Sequence, residues 1–274
     1  MEHSNFLSAN DSPVTRQIVS GPNGETESVA SPRILLAEDS QVSMMLALHQ
    51  LQKLANEIDT VKHGGEAVEA WKAKRHDIIL MDCEMPVMDG CQAASEIRRI
   101  EGPQRRTLIF AVTAHAIEEE REKCIAAGMD DLLAKPFRSE QLAAIVHVVS
   151  SDAARRWKLP VVLPAAIAVL REEKPGGDLL RTMAEIWRED WPVILDEMEV
   201  AGRALDGEAL ANLAHKLKGG AANFGSAPVQ QRCRAIEELC HEKLIGFAAS
   251  MLPLLRGEAA EVQAALEREI ASNP

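Results

Sequence analysis

The sequence predicts a doubly wound α/β domain followed by an all-helical bundle. Three observations carry that prediction. Between Arg33 and about residue 150, short apolar runs alternate with segments of helical periodicity. The apolar runs end on polar side chains. After about residue 151 the strand-like runs stop, and amphipathic helical segments follow one another. A chain of 274 residues is long enough for two ordinary domains.

The first half reads as five β-α units. A strand over 33–37 precedes a helix near 40–53, where Val42, Met45, Leu46 and His49 recur at helical spacing. A weaker strand near 57–61 precedes a helix near 65–74. Strands over 77–81, 107–112 and 131–134 precede helices near 90–100, 117–127 and 139–150, with Gly128 closing the fourth helix. Short connections between β-α units imply a parallel sheet with helices on both faces. Helices over 164–173, 177–203, 207–223, 228–243 and 247–271 make up the second half. The breaks between them fall at Pro175-Gly176-Gly177, Asp206-Gly207 and Gly225 to Pro228. Such helices with short loops pack as an antiparallel bundle. Residues 1–31 are rich in Ser, Asn, Gly, Pro and Thr without apolar periodicity, so they read as a disordered leader. The divisions are therefore a leader over 1–31, an α/β domain over 32–150, a linker over 151–160 and a four-helix bundle over 161–271.

Composition narrows the function classes. A net charge of −12 argues against a general nucleic-acid binder, and the cluster Arg155-Arg156-Trp157-Lys158 is too short to reverse it. There is no 18-residue apolar stretch for membrane insertion and no basic-then-apolar leader. Cys83, Cys91, Cys124, Cys233 and Cys240 lack metal-ligand spacing and read as reduced, packed thiols of a cytoplasmic protein.

The polar residues at the strand ends have a shared chemistry. The first strand delivers Glu38-Asp39, the third Asp82, the fourth Thr113 and the fifth Lys135-Pro136. In parallel sheets ligands bind beyond the carboxyl ends of strands. Glu38, Asp39 and Asp82, with the backbone carbonyl of Glu84, offer hard oxygen ligands suited to Mg²⁺. Asp39 or Ser40 can cap a helix, but capping does not account for three acids and a lysine. Asp82 can attack phosphorus and become an aspartyl phosphate. Lys135 and a divalent cation compensate the charge, and Thr113 can bond a phosphoryl oxygen.

The order Glu38-Asp39, Asp82, Thr113-Ala114, Lys135-Pro136-Phe137 resembles the receiver domain of two-component response regulators. The loop MDCEMPVMDG is similar to receivers attached to hybrid sensor kinases. The resemblance covers about residues 33–150. It implies a flavodoxin-like sheet of strand order 2-1-3-4-5, a Mg²⁺-dependent phosphoaspartate at Asp82 and a cis Lys135–Pro136 bond. It also implies a receiver that catalyses its own phosphorylation and dephosphorylation. One departure stands out: receivers often carry Tyr or Phe three residues before the lysine, and here that position is Leu132. Phosphorylation would then act on the partner face through Thr113 and the loop after it, without an aromatic flip.

In the second half, the stretch Glu208 to Phe224 decides the reading. Leu210, Leu213, Ala214, Ala221 and Phe224 fall within about 60° of Leu217 on a helical wheel, whereas His215 falls roughly 160° away. The imidazole therefore projects from the face opposite the apolar stripe. Lys218 is one turn on and can reach a phosphoryl group there. Small residues at Ala211, Gly219 and Ala222 let another surface approach, although two helical glycines cost about 1 kcal/mol each. The string AHKLKGGAANFG resembles the signature of histidine phosphotransfer (HPt) domains, over about residues 160–271. It implies a phosphohistidine at His215, with Lys218 assisting and Gly219 permitting docking. His115, beside Thr113, is a further residue that could line the first site.

Together these readings describe a phosphorelay intermediate. A sensor or hybrid histidine kinase phosphorylates Asp82, and His215 passes phosphate to or from a downstream response-regulator receiver. The segments on either side hold no ATP-binding kinase domain and no DNA-reading module. The competing expectations are a regulator in which phospho-Asp82 gates a partner, and a phosphate sink. A metal-dependent phosphatase needs an Asp-x-Asp that Glu38-Asp39-Ser40 does not supply.

Overall fold

The computed structural model describes residues 31–101, 107–114, 117–154, 161–172 and 178–272. Residues 1–30 of the leader, the cluster Arg155 to Lys158, His115 and the break at 175–177 lie outside that set. The α/β half runs β1 (Arg33–Ala37), α1 (Gln41–Leu51), β2 (Glu57–Val61), α2 (Gly64–Lys74), β3 (Ile78–Asp82), α3 (Gly90–Glu101), β4 (Leu108–Thr113), α4 (Glu118–Ala126), β5 (Asp131–Ala134) and α5 (Ser139–Ala154). All strand pairs are parallel and the sheet order is β2-β1-β3-β4-β5, as the resemblance implies. Helix α5 continues four residues past the expected boundary at 150.

Alternation along each strand divides the core into two layers. Ile34, Leu36, Ile78, Leu80, Phe110, Val112 and Leu133 face α1 and α5. Leu35, Ala37, Ile79, Met81, Ile109 and Ala111 face α2, α3 and α4. The inner strands β1, β3 and β4 are buried on both faces, which explains why these runs read as continuous apolar segments, whereas the edge strand β2 is half-exposed.

The buried face of α1 is not the one its apolar spacing suggests. Val42, Met45 and Leu46 are 80%, 65% and 53% exposed. Ala47 and Leu51 are buried instead, with Met44 and Leu48 packed against the same core. Positions 44, 47, 48 and 51 keep the same i, i+3, i+4, i+7 spacing. The helix carries two apolar stripes, and periodicity cannot choose between them.

The helical half comprises α6 (Pro164–Glu172), α7 (Asp178–Arg203), α8 (Gly207–Ala222), α9 (Ala227–His241), α10 (Ile245–Ser250) and α11 (Leu252–Ala271). The single helix expected over 247–271 is broken at Met251, the residue between α10 and α11. Pro253 falls in the first turn of α11, where a missing N–H costs nothing. Asp206 caps α8 by accepting from the Ala209 N–H at 3.0 Å.

The bundle packs against the β5–α5 side of the sheet domain. The Phe247 N–H donates to Asp131 Oδ2 at 2.8 Å, and the Phe247 ring meets Phe110 edge-on at 5.0 Å. Around this contact Arg138 pairs with Glu242 at 2.8 Å and His147 with Glu238 at 3.1 Å. A Cβ at Gly246 would press on the Arg121 guanidinium and the Asp131 carboxylate, so glycine lets α10 approach β5.

Candidate functional site

The parallel register brings Glu38, Asp82, Thr113 and Lys135 to one edge of the sheet. Asp82 is the last residue of β3 and Thr113 the last of β4. The Cys83 N–H donates to Val112 O at 3.1 Å, and the Lys135 N–H to Thr113 O at 2.7 Å. These bonds carry the sheet ladder past the strand ends and fix the backbone on either side of the acids.

The turn after Asp82 is tightly constrained. A Cβ at Gly90 would overlap the Asp82 carbonyl oxygen. Val87 has φ +68°, a conformation β-branched residues rarely adopt, and its cost is about 1–3 kcal/mol. The Lys135–Pro136 peptide is cis.

Lys135 Nζ lies 2.6 Å from Glu38 Oε2 and 2.7 Å from Asp82 Oδ2. Glu38, Asp39 and Asp82 place carboxylate oxygens all within 4.8 Å of one another. Glu38 and Asp82 are buried and Asp39 is exposed, so the set opens to solvent on one side. The Glu84 N–H donates to Asp82 Oδ1 at 3.2 Å, which orients the acceptor carboxylate. Burial pushes the Glu38 carboxyl above its usual range, with Asp82 adding repulsion and Lys135 opposing it. Burial alone would lower the Lys135 ammonium, but its hydrogen bonds to Asp82 and Glu38 raise it on balance.

Three carboxylates facing one ammonium leave an excess of negative charge in a half-dry pocket. That donor set fits a hard divalent cation. It also predicts a pH signature in magnesium-free buffer. Glu38 binds its proton more tightly folded than unfolded, so its contribution to stability falls as pH rises from about 4.5 through the raised folded value. Thermal unfolding of Glu38→Gln against the parent between pH 4 and 8 is expected to show the variant gaining on the parent over that interval. A constant offset would exclude Glu38 as the titrating group.

The second candidate site lies on α8. Leu210, Ala214, Leu217 and Ala221 are buried, whereas the His215 side chain is 76% exposed. His215 Nδ1 lies 2.9 Å from Glu237 Oε1 on α9. Lys218 Nζ reaches the same carboxylate at 2.8 and 2.5 Å. A carboxylate only accepts, so Nδ1 is the donor in this pair, and in the neutral imidazole the lone pair then lies on Nε2. The two helical glycines have different reasons. A Cβ at Gly219 would meet nothing within 4 Å, whereas one at Gly220 would press on the Trp187 ring at 3.2 Å. Gly219 leaves surface open beside His215, and Gly220 is required by packing. Of the small residues expected there, Ala222 is exposed and Ala211 is half-buried against the core.

Comparison with known proteins finds two family matches along the chain. Residues 34–147 match the response regulator receiver domain family, and residues 182–270 match the Hpt domain family. The chain carries a receiver domain followed by an Hpt domain. The signal transduction histidine-protein kinase BarA of Shigella flexneri is 31% identical over 223 residues, covering 77% of this chain and 24% of the relative. The sensor protein GacS of Pseudomonas syringae pv. syringae is 29% identical over 230 residues, covering 79% and 25%. The chain thus spans about a quarter of the length of these relatives. The receiver domain of a sensor histidine kinase from Pseudomonas aeruginosa PAO1, solved with magnesium in its active-site cleft, is 41% identical. It covers 44% of this chain and 99% of that one, with a TM-score of 0.41.

Receiver and Hpt sites each contain a residue that sequence patterns did not single out. In the receiver it is Cys124, whose Sγ lies 3.4 Å from Cys83 beside Asp82. In the Hpt domain it is Glu237, which holds both His215 and Lys218. Among the described residues no helix is long and apolar enough to cross a membrane.

Proposed function

We propose that this chain is a phosphorelay intermediate, in which the receiver accepts phosphate on Asp82 and the Hpt domain carries it on His215. The observation that supports this most is the pairing of two complementary acceptors in one chain. Asp82 is held by Lys135 within an acidic set, and His215 is an exposed imidazole whose Nδ1 is held by Glu237. Glu38, Asp39 and Asp82 would hold Mg²⁺, with the Glu84 carbonyl as a main-chain ligand. The ion would supply charge neutralisation for an incoming phosphoryl group. Lys135 then meets the phosphoryl oxygens, Thr113 bonds one of them, and Lys218 performs the same service at His215.

The partners are a sensor or hybrid histidine kinase and a separate receiver, in the cytoplasm where unpaired thiols stay reduced. Exposed Val42, Met45 and Leu46 give the receiver an apolar docking face beside Glu38 and Asp39. The exposed carboxyl-terminal end of α8 gives the Hpt domain its own. Neither face takes part in the α10–β5 contact.

The test is a labelled-phosphate chase from a charged histidine kinase, through this chain, to an added receiver. The parent is expected to carry label at Asp82 and His215 and to pass it on. In Asp82→Ala, both His215 labelling from the kinase and onward transfer are expected to vanish. Unchanged His215 labelling and transfer in that variant would mean that the two domains do not act in series.

A further inference from the structure

Three of the five thiols, Cys83, Cys91 and Cys124, lie in the receiver on one side of Asp82, whereas Cys233 and Cys240 lie on α9. Cys83 immediately follows Asp82. Its Sγ is 3.4 Å from Cys124 Sγ on α4, and Cys91 at the start of α3 lines the same cavity. Cys83 and Cys124 come from segments 41 residues apart and meet through the fold alone. Both line an open cavity of about 940 Å³, bordered also by Glu84, Asp89, Ile117 and Glu120. Cys83 is 9% exposed and Cys124 1%, so a small solute in the cavity meets Cys83 first.

We infer that Cys83 and Cys124 form an oxidisable dithiol whose closure controls the phosphoacceptor loop. A disulfide bond is about 2.05 Å long, so the sulfurs need to approach by roughly 1.3 Å from their 3.4 Å separation. Hydrogen peroxide supplies the oxidant. One sulfur attacks the peroxide oxygen, the O–O bond breaks, and a sulfenic acid and one water result. The second sulfur displaces the hydroxyl from the first, the S–O bond breaks, and a second water leaves. Two thiols lose two electrons and two protons in total, and one peroxide is reduced to two waters.

The consequence follows from where Cys83 sits. Its N–H and C=O are tied to Val112 O and the Gly90 N–H, each at 3.1 Å, in the segment that aims Asp82 and the Glu84 backbone. Drawing Cys83 toward α4 displaces the acceptor carboxylate relative to Lys135. Misplacement by about 1 Å costs up to roughly a hundredfold in rate. This control of phosphorylation rests on the receiver reading of Asp82, whereas formation of the disulfide does not.

The experiment uses the full chain, hydrogen peroxide and mass mapping of cross-linked peptides, followed by Asp82 labelling from acetyl phosphate with Mg²⁺. The expected result is a Cys83–Cys124 cross-link that dithiothreitol reverses, with labelling at least fivefold slower in the oxidised protein. Cys91→Ala is expected to keep the cross-link and the slowing, and Cys124→Ala to lose both. Failure to form the Cys83–Cys124 link in folded protein, or a Cys91–Cys124 link in its place, overturns the dithiol. Labelling of the cross-linked protein as fast as that of the dithiol form overturns its control of Asp82. If the reduced protein takes no label at all, the receiver reading fails while the cross-link still decides the thiol site.

Discussion

Lys135→Ala is expected to lower the stability of the magnesium-free receiver by about 2–3 kcal/mol and to slow Asp82 phosphorylation about a hundredfold or more. In the parent, one ammonium contacts two carboxylates whose side chains are only 4% and 9% exposed. Removing it leaves those charges facing each other in a site too dry to screen them. The lower end of the range applies because Lys135 itself is 23% exposed and solvent screens part of its effect. The corresponding drop in the receiver's melting temperature is roughly 5–10 °C. Two checks separate this from a simple packing loss. Magnesium is expected to restore more stability to Lys135→Ala than to the parent, because the variant has more uncompensated charge. The deficit is also expected to shrink as pH falls, since the Glu38 carboxyl sits above its usual range and its protonation removes one of the two charges. Asp82→Asn runs the other way. It removes one carboxylate, keeps an oxygen for the Glu84 N–H, and is expected to raise magnesium-free stability while abolishing label at residue 82. Equal melting temperatures for both variants and the parent would show that the pocket is not electrostatically strained.

Much of the receiver was legible because its chemistry sits at strand ends. Asp82, Thr113 and Lys135 each follow an apolar run, and in a parallel sheet all such ends share one edge. His215 was legible because a single helix fixes its angle to Leu217. What the sequence left hidden depends on register between elements. The choice between the two apolar stripes of α1 depends on how that helix rolls against the sheet, which buried Ala47 and Leu51 and exposed Met45 and Leu46. The Cys83–Cys124 contact depends on where α4 lies above β3, and no local pattern encodes it. The break at Met251 was missed because the residues on both sides continue an apolar helical spacing. Leu132 lies half-buried against the α2–α4 layer of the core.

Glu237 is the clearest case of a residue that only register reveals, and its removal carries the second large prediction. Helix α9 presents Glu237 to α8 while the adjacent Glu238 turns toward His147 of the receiver. The Glu237 carboxylate accepts from His215 Nδ1, and on the proposed function this would leave Nε2 as the nitrogen that takes phosphate. Glu237→Ala frees the imidazole to rotate and to exchange tautomers, and phosphotransfer to His215 is expected to fall roughly tenfold, equivalent to about 1.4 kcal/mol. Glu237→Gln keeps an oxygen at the same place and is expected to retain most of the rate. Nitrogen NMR of the imidazole provides a readout that helix stability does not move: the parent and Glu237→Gln are expected to show protonated Nδ1, and Glu237→Ala a mixture. Lys218 complicates the rate alone, because losing Glu237 also releases an ammonium that can then bind the phosphoryl group more strongly. Adding Lys218→Ala to Glu237→Ala removes that compensation, so the double variant is expected to be slower than Glu237→Ala. If the double variant matches Glu237→Ala and the tautomer is unchanged in both, Glu237 neither orients His215 nor restrains Lys218.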